Sequence, residues 1–238
     1  MAIKILTERA LLIDKMLIIA DLHIGFESEL YHSGISIPSQ IYKIEESINK
    51  LIKRTKVKEL IILGDLKHQV PGTFFQEIQE IPLFLERLSK KVKVTIVKGN
   101  HDADLEKITN TDIMSSKGIQ VGKNGFVHGH AWFFAKLLDC EYLIMGHIHP
   151  AIEFAHRTKQ PCWVRCKLGK KSIEKKFKKK CNIKEIIIMP SFNPLIGGLA
   201  LNSDRISYGA ILDNADMKNA KIFLLDGTYI GKLKSIKS

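Results

Sequence analysis

Short apolar runs that stop at a carboxylate, an amide or an imidazole constrain this chain more than any other feature. The runs in the first half lie at residues 16–20, 60–63 and 92–97, and an Asp or Asn residue follows each of them after at most two further residues. Continuous apolar runs of this length are typical of strands that are buried on both faces. The runs therefore predict a layered core with polar side chains at the strand ends.

Helical patterns separate these predicted strands. One begins at Pro38, after which apolar residues recur at helical spacing, and a second covers residues 74–88, where Pro82 is expected to disturb the helix. Strand and helix alternate through the first half of the chain. Alternation of this kind favours an α/β fold.

The second half of the chain carries shorter strand patterns. An amino-terminal hairpin is also predicted, within residues 3–13. Further strands are predicted at residues 125–127, 142–145, 151–155, 163–166, 186–189, 208–212 and 222–225. We therefore expect two packed sheets with helices outside them.

Composition is consistent with one domain over residues 1–238, because 45% of the residues are hydrophobic and 26% are charged. No apolar run approaches the ~20 residues of a membrane-spanning helix. The first residues lack the features of a secretory signal, so we expect a cytoplasmic protein without membrane partners. Four unevenly spaced cysteines indicate reduced thiols and not a disulfide scaffold.

The polar strand ends predict a metal site. The candidate residues are Asp21 and His23, Asp65, Asn100 with His101 and Asp102, His128 with His130, and His147 with His149. Carboxylate, imidazole and amide ligands suit Mn²⁺, Fe²⁺, Ni²⁺ or Zn²⁺. Even seven ligands out of these ten residues are too many for one ion. They fit two ions about 3.5–4 Å apart, an arrangement used in phosphate-ester hydrolysis.

The ordered set of motifs resembles the calcineurin-like metallophosphoesterase superfamily. The motifs are Asp21-x-His23, Gly64-Asp65, Gly99-Asn100-His101-Asp102, His128 and Gly146-His147-x-His149. The resemblance spans roughly residues 17–150, with a weaker match at residues 190–194. It implies a four-layer αββα sandwich of two mixed sheets flanked by helices, with two divalent metal ions, most often Mn²⁺, at one sheet edge.

The resemblance also implies a role for each residue. Asp21, His23 and His149 would hold one ion, Asn100, His128 and His147 the other, and Asp65 would bridge them. A hydroxide between the ions would attack phosphorus in line. His101 would donate a proton to the leaving oxygen or steady the transition state, and Asp102 would orient its imidazole.

One departure from the common family pattern narrows the resemblance. His68 lies where many members carry an Asp, three residues after Asp65. The form Gly-Asp-x-x-His resembles the nuclease-type branch, and the motifs around residues 21–27 and 64–68 look closest to the small prokaryotic phosphoesterases associated with DNA ligase. His68 is a candidate for contact with substrate or metal-bound water, or a surface histidine. His130 is a candidate for substrate contact, for support of His128, or for capping the loop.

A basic segment is predicted as a lysine-rich insertion at about residues 157–184. It holds twelve Lys or Arg residues against one acid, Glu174, and so carries nearly all of the net charge of +12. Lys170, Lys171, Lys175 and Lys176 are candidate substrate-binding residues for DNA or RNA, with Trp163 and Phe177 available to stack on bases. The alternative is a solvated loop or hairpin in which the lysines only aid solubility.

Three assignments outside the motifs complete the sequence interpretation. Cys162, Cys166 and Cys181, with His156 or Cys140, are a candidate zinc site that would pin the basic segment. Elsewhere, His32 and His156 are interpreted as core histidines. The loop at residues 190–194 is predicted to fold beside the metals but is left out of the site, because turn chemistry explains its composition.

Three functions remain open from the sequence. The leading one is a binuclear metal-dependent phosphodiesterase that acts on nucleic acid or nucleotide-like diesters. The second is a phosphomonoesterase, because the metal ligands do not distinguish mono- from diesters. The third is a nucleic-acid-binding module with little turnover, whose binding surface is the lysine segment.

Overall fold

The first sheet is built from strands of the amino-terminal half. The computed structural model describes residues 3–154, 157–203 and 207–236. The strands are β1 (Ile3–Leu6), β2 (Ala10–Ile13), β3 (Met16–Ile19), β4 (Glu59–Leu63), β5 (Lys93–Val97) and β6 (Asp112–Met114). They lie in the order β1-β2-β3-β4-β5-β6. β1, β2 and β3 pair antiparallel and β3 to β6 pair parallel, so the carboxyl ends of β3, β4 and β5 share one edge.

The second sheet is built from the remaining strands. These are β7 (Ile119–Val121), β8 (Asn124–Val127), β9 (Tyr142–Met145), β10 (Pro150–Phe154), β11 (Thr158–Cys166), β12 (Glu185–Ile188), β13 (Leu199–Ala200), β14 (Lys221–Leu224) and β15 (Tyr229–Lys232). Their order is β13-β10-β11-β12-β9-β8-β7, and β14 joins β11 to β15. β8, β9 and β12 run parallel. Their carboxyl ends therefore also share one edge.

Helices cover the outer faces of both sheets. They are α1 (Phe26–His32), α2 (Ile41–Thr55), α3 (Phe75–Ser89) and α4 (Lys170–Phe177). One buried cluster lies between the first sheet and helices α2 and α3, a second lies between the two sheets, and a third lies between the second sheet and α4. The four-layer αββα sandwich is therefore confirmed.

The side chains of β4 show why its sequence is apolar throughout. Leu60 and Ile62 pack in the cluster beneath the helices, whereas Ile61 and Leu63 pack in the cluster between the sheets. Successive side chains of a strand point to opposite faces. A strand with a packed layer on each side therefore needs apolar residues at every position.

Several predicted elements differ from the observed ones. Helix α2 begins at Ile41 and not at Pro38, and α3 continues through Pro82 without a break. No strand forms at residues 208–212. The described part of that stretch holds turns and the start of a short 3₁₀ helix at Leu212–Asn214. Helix α1 had no recognised sequence pattern, because it has only seven residues.

The basic segment is not an appended loop. Its first half is β11, which pairs with β10, β12 and β14, and its second half contains α4, which buries Ile173. Trp163 lies in the core between the sheets with no exposed surface. The prediction that Trp163 stacks on bases is therefore wrong.

The predictions for the cysteines and for His32 also need correction. All four cysteines are buried and reduced, and they lie in the cluster between the second sheet and α4. Within residues 3–154, 157–203 and 207–236, no group of three potential metal ligands includes a cysteine, so the predicted zinc site is not formed there. His32 is exposed and is not a core histidine. His156 lies outside the described residues.

None of the described helices is long and apolar enough to cross a membrane.

Candidate metal centre

The predicted site residues converge at one edge of the sandwich. Asp21 and His23 follow β3, Asp65 follows β4, and Asn100 follows β5. From the second sheet, His128 follows β8, and His147 and His149 follow β9. Because the parallel strands in each sheet end on the same side, side chains from distant parts of the chain meet here.

The backbone turns sharply at five of these residues. Asp21, His23, Asp65, His147 and His149 all have left-handed φ angles, between 43° and 75°. Such angles are uncommon for residues with a Cβ atom and cost of order 1–3 kcal/mol each. They cluster here because the chain must leave each strand abruptly to direct the next side chain into the shared pocket.

Two glycines let the strand ends approach one another. A Cβ atom on Gly146 would lie 2.5 Å from Oδ2 of Asp21 and 2.8 Å from Cβ of Ala20. A Cβ atom on Gly99 would lie 2.2 Å from Oδ1 of Asp65 and 2.3 Å from its backbone nitrogen. Neither glycine has a left-handed φ angle, so glycine is required at both positions because there is no room for a Cβ atom.

The first group of donor atoms comes from Asp21, His23, Asp65 and His149, whose ligand atoms all lie within 4.8 Å of one another. Nε2 of His23 is 3.3 Å from Nε2 of His149. Nε2 of His149 is also 3.3 Å from Oδ1 of Asp21, and Nε2 of His23 is 3.7 Å from Oδ2 of Asp65. Two imidazole nitrogens and two carboxylates thus face one small space.

The second group comes from Asp65, His128 and His147, again within 4.8 Å. Nδ1 of His128 donates to the carbonyl oxygen of Leu63 at 2.8 Å, so Nε2 is the ring nitrogen directed toward the site. That Nε2 lies 3.2 Å from Oδ2 of Asp65 and 3.1 Å from Oδ1 of Asn100. Asp65 belongs to both groups, at the position predicted for a bridging carboxylate.

Burial and the neighbouring carboxylates together set the pKa values of the site histidines. Burial lowers the pKa of His23 to about 3 and, together with the charge on His128, the pKa of His147 to about 4. Burial also acts to lower the pKa of His128, but Asp65 and Asp21 outweigh it and raise that pKa to about 9. In return, the pKa of Asp65 is held below its ordinary value by His128 against the effect of burial.

The donor set fits a divalent cation. Oδ1 of Asn100 and Oδ2 of Asp65 are acceptors that converge on Nε2 of His128, which carries a proton at neutral pH because the pKa of His128 is raised. A divalent cation would take the place of that proton, since acceptors converge at hydrogen-bond distance only where a proton or a cation lies between them. Ligands ~2.1 Å from a common ion are separated by roughly 3 Å, close to the spacings within both groups. Asp21 and Asp65 are also almost fully buried, so a cation would neutralise their charges.

His101 and His68 lie beside the first group and, together with His23, make a third group of potential ligand atoms within 4.8 Å of one another. The ring centroid of His23 is 4.8 Å from that of His101 and 5.3 Å from that of His68. Nδ1 of His101 donates to the carbonyl oxygen of His68, and the backbone N–H of His101 donates to Oδ1 of Asp65 at 2.9 Å. Nε2 of His68 contacts Oε2 of Glu29. Nδ1 of His68 lies 3.2 Å from Nδ1 of His23.

Asp102 does not have the predicted contact with the imidazole of His101. Its carboxylate accepts backbone N–H groups from Gly99 at 2.8 Å, Leu66 at 2.8 Å and Lys67 at 3.3 Å. The carbonyl oxygen of His68 orients the ring instead. Burial raises the pKa of Asp102 to about 6, with a contribution from the charge on Asp65. Asp102 therefore ties the loop after β5 to the loop after β4.

Two buried charged residues shape the loop after β4 and were not identified from the sequence. Oε1 of Glu77 accepts the N–H groups of His68 and Gln69, and Oε2 accepts that of Phe74, all at 2.7 Å. Nζ of Lys67 donates to the carbonyl oxygens of Gln69 and Gly72. A glutamate three positions into a predicted helix was the one available signal, because it suggests a capping box.

The loop at residues 190–194 supports the Asp21 backbone. Oγ of Ser191 donates to the carbonyl oxygen of Asp21 at 2.7 Å, and Nδ2 of Asn193 donates to that of Leu22 at 2.9 Å. Both side chains are buried. The loop thus lies beside the candidate site, as predicted, and holds the turn that carries Asp21 and His23.

The candidate substrate-binding residues fall into two classes. His130 lies in the site, with its ring centroid 5.2 Å from that of His128 and 6.0 Å from that of His147. Its buried Nδ1 has no hydrogen-bond partner among the described residues. In contrast, Lys170, Lys171, Lys175 and Lys176 are exposed on α4, a helix of the layer outside the second sheet. Their role remains a prediction.

The chain is similar to solved structures over most of its length. The nuclease MPE of Pseudomonas putida matches with a TM-score of 0.59 and 19% identity, covering 94% of this chain and 92% of the nuclease. YfcE, a phosphoesterase from E. coli, matches with a TM-score of 0.42 and 16% identity, covering 91% of this chain and 96% of YfcE. No curated protein sequence matches the chain significantly.

The family comparison covers the strands and loops that carry the candidate site. The model for the calcineurin-like phosphoesterases matches residues 15–151, which include every candidate ligand from Asp21 to His149. The match extends over more than half of the chain. The chain therefore belongs to the calcineurin-like phosphoesterase family.

Proposed function

We propose that the protein is a binuclear metal-dependent phosphodiesterase that acts on nucleic acid or on nucleotide-like diesters. The observation that carries the proposal is the position of Asp65, which belongs to two of the three groups of converging donor atoms and is the one carboxylate that those two groups share among the described residues. Asp21, His23 and His149 would hold one ion. His128, His147 and Asn100 would hold the other. Bound divalent ions supply Lewis acidity toward phosphoryl oxygens and make water a stronger acid.

The protein's own groups account for orientation and proton transfer. The Leu63 carbonyl fixes the ring of His128 with Nε2 toward the site, as expected of a metal-binding histidine. Nδ1 of His101 is held by the His68 carbonyl, so Nε2 is the nitrogen left to donate a proton to the leaving oxygen. His68 and His130 flank the two donor groups and are placed to contact the non-bridging oxygens or the ester groups of a substrate.

The test is turnover by metal-stripped protein to which Mn²⁺ is returned, with Fe²⁺, Ni²⁺ and Zn²⁺ in parallel. The substrates are bis(p-nitrophenyl) phosphate, p-nitrophenyl phosphate and a single-stranded oligonucleotide. We expect metal-dependent hydrolysis that is faster on the diesters than on the monoester. Faster hydrolysis of the monoester would favour the phosphomonoesterase, and binding of oligonucleotide without any turnover would favour the binding module.

A pair of histidine variants isolates the proton donor. His101→Ala should lower kcat on the diester by roughly 10²- to 10⁴-fold while metal content stays unchanged. His32→Ala removes an exposed histidine outside the donor groups and should leave kcat within about twofold of the wild type. Equal activity of the two variants would exclude His101 as the donor.

A further inference from the structure

A row of aromatic residues leads directly away from the candidate site. His130 ends the polar part of the loop after β8, and Trp132, Phe133 and Phe134 follow within four residues. Phe133 is buried, whereas Trp132 is half-buried and Phe134 is 38% exposed. Aromatic rings on both sides of a buried anchor are thus presented to solvent next to the metal-site loop.

Helix α4 packs against this row. The ring of Phe177 stacks on Phe133, with 5.2 Å between centroids, and meets Trp132 edge-on at 5.9 Å. This packing brings Nζ of Lys176 to 4.2 Å from the centroid of the Trp132 ring. The predicted basic helix is therefore joined to the metal-site loop through aromatic contacts.

Two further lysines flank Phe134. Nζ of Lys136 lies 5.4 Å, and Nζ of Lys117 5.7 Å, from the centroid of the Phe134 ring. Lys117, Lys136 and Lys176 are exposed, and none of them forms an ion pair with a described residue. Their charges are thus available to an external anion. We call Lys117, Trp132, Phe134, Lys136 and Lys176 the aromatic–lysine track.

We propose that the aromatic–lysine track binds single-stranded nucleic acid and leads it to the metal centre. The inference rests on the proposed function, since it assigns a substrate class to the same site. Unpaired bases can stack on the rings of Trp132 and Phe134 when the exposed lysines swing from the ring faces to the neighbouring phosphates. A duplex does not expose its base faces, so the track selects single strands.

The composition of α4 argues against a membrane as the partner. An interfacial helix buries large apolar side chains in the lipid. On α4 the apolar side chains Ile173 and Phe177 instead pack against the protein, and the exposed surface carries lysines. Helix α4 thus adds positive charge and no large exposed apolar side chain beside the rings of Trp132 and Phe134, which fits a polyanion in solution.

The track is tested by fluorescence anisotropy with a labelled oligothymidylate of 20 nucleotides, in EDTA so that no cleavage occurs. The combined variant Lys117→Gln, Lys136→Gln and Lys176→Gln should weaken binding at low salt by about tenfold or more. It should also reduce the slope of log Kobs against log salt by about 2, since each phosphate contact on a single strand contributes about 0.7. Phe134→Ala should weaken binding by at least about fivefold through the loss of one stacked base.

A matched variant controls for net charge. Lys53→Gln, Lys58→Gln and Lys93→Gln also remove three exposed lysines, but from the region of α2 and the start of β5. This variant should change affinity by less than about threefold. An equal loss in the control, equal affinity for a duplex of the same length, or tighter binding to phosphatidylserine vesicles than to the oligonucleotide would overturn the proposal.

The outcome is separable from that of the proposed function. Wild-type protein that hydrolyses bis(p-nitrophenyl) phosphate with Mn²⁺ but does not bind the oligonucleotide would overturn the track and leave the phosphodiesterase intact. Protein that binds the oligonucleotide through the track but hydrolyses no diester would support the track and contradict the phosphodiesterase.

Discussion

A single methyl group at Gly146 should disable the metal centre. In Gly146→Ala the new Cβ atom would lie 2.5 Å from Oδ2 of Asp21 and 2.8 Å from Cβ of Ala20. Ordinary contacts begin at about 3.4 Å, so Asp21 or the loop after β9 must move by nearly 1 Å. Overpacking of this kind costs about 1–3 kcal/mol of stability. A displacement of 1 Å at a reacting centre costs about 10²-fold in rate.

The matched control is Gly197→Ala, because a Cβ atom on Gly197 meets no atom within 4 Å. Both variants would be compared with the wild type by Mn²⁺-dependent hydrolysis of bis(p-nitrophenyl) phosphate and by urea unfolding in EDTA. We expect Gly146→Ala to lose about 10²-fold in kcat/KM, with weakened metal affinity, and Gly197→Ala to match the wild type. Wild-type metal affinity and turnover in Gly146→Ala would refute the close approach of Asp21 to the loop after β9.

Three further predictions concern stability and reactivity. In EDTA, the free energy of unfolding of Asp65→Gly should be about 1 kcal/mol larger than that of Asp65→Ala. Alanine has a Cβ atom that is strained at the φ of 49° found at this position, whereas glycine has none. Equal free energies of unfolding in urea titrations would argue against backbone strain at residue 65. Glu77→Ala should lose about 3 kcal/mol in the same titrations, because it leaves three backbone N–H donors without an acceptor. Glu86→Ala, on the exposed face of α3, should unfold like the wild type. All four thiols should react with Ellman's reagent at pH 8 only after unfolding. Thiolate forms as the pH rises through the pKa, and burial raises the pKa of Cys140 to about 11 and those of Cys162 and Cys166 to about 12. Fast labelling of the native protein would contradict the burial of these thiols.

The strands and the site edge were predictable because they depend on local pattern. The runs before Asp21 and Asp65 are apolar at every position, which is the pattern of a strand covered on both faces, and such a pattern can be recognised from consecutive residues. Parallel pairing then brings their ends to one edge. The residues of the metal centre could therefore be named from the order of the motifs, although their roles as ligands remain predictions.

Features that depend on tertiary packing were not predictable. The sequence predicts a strand only at residues 163–166 of the lysine-rich segment, whereas β11 runs from Thr158 to Cys166 and buries Trp163 completely. Asp102 stands next to His101 in sequence, but its partners are backbone N–H groups from the loop after β4. Glu77 acts on that same loop from a helix that begins seven residues after His68. No pattern within one segment reveals contacts of this kind.

The central claim is that two cations share the carboxylate of Asp65, and calorimetric titration of metal-stripped protein with Mn²⁺ tests it most directly. The account predicts about two ions per wild-type chain. With Asp65→Asn, which retains the size of the side chain, it predicts the loss of at least one of these ions and a weaker affinity for any that remains. A single ion per wild-type chain, or two ions bound with unchanged affinity by Asp65→Asn, would contradict it.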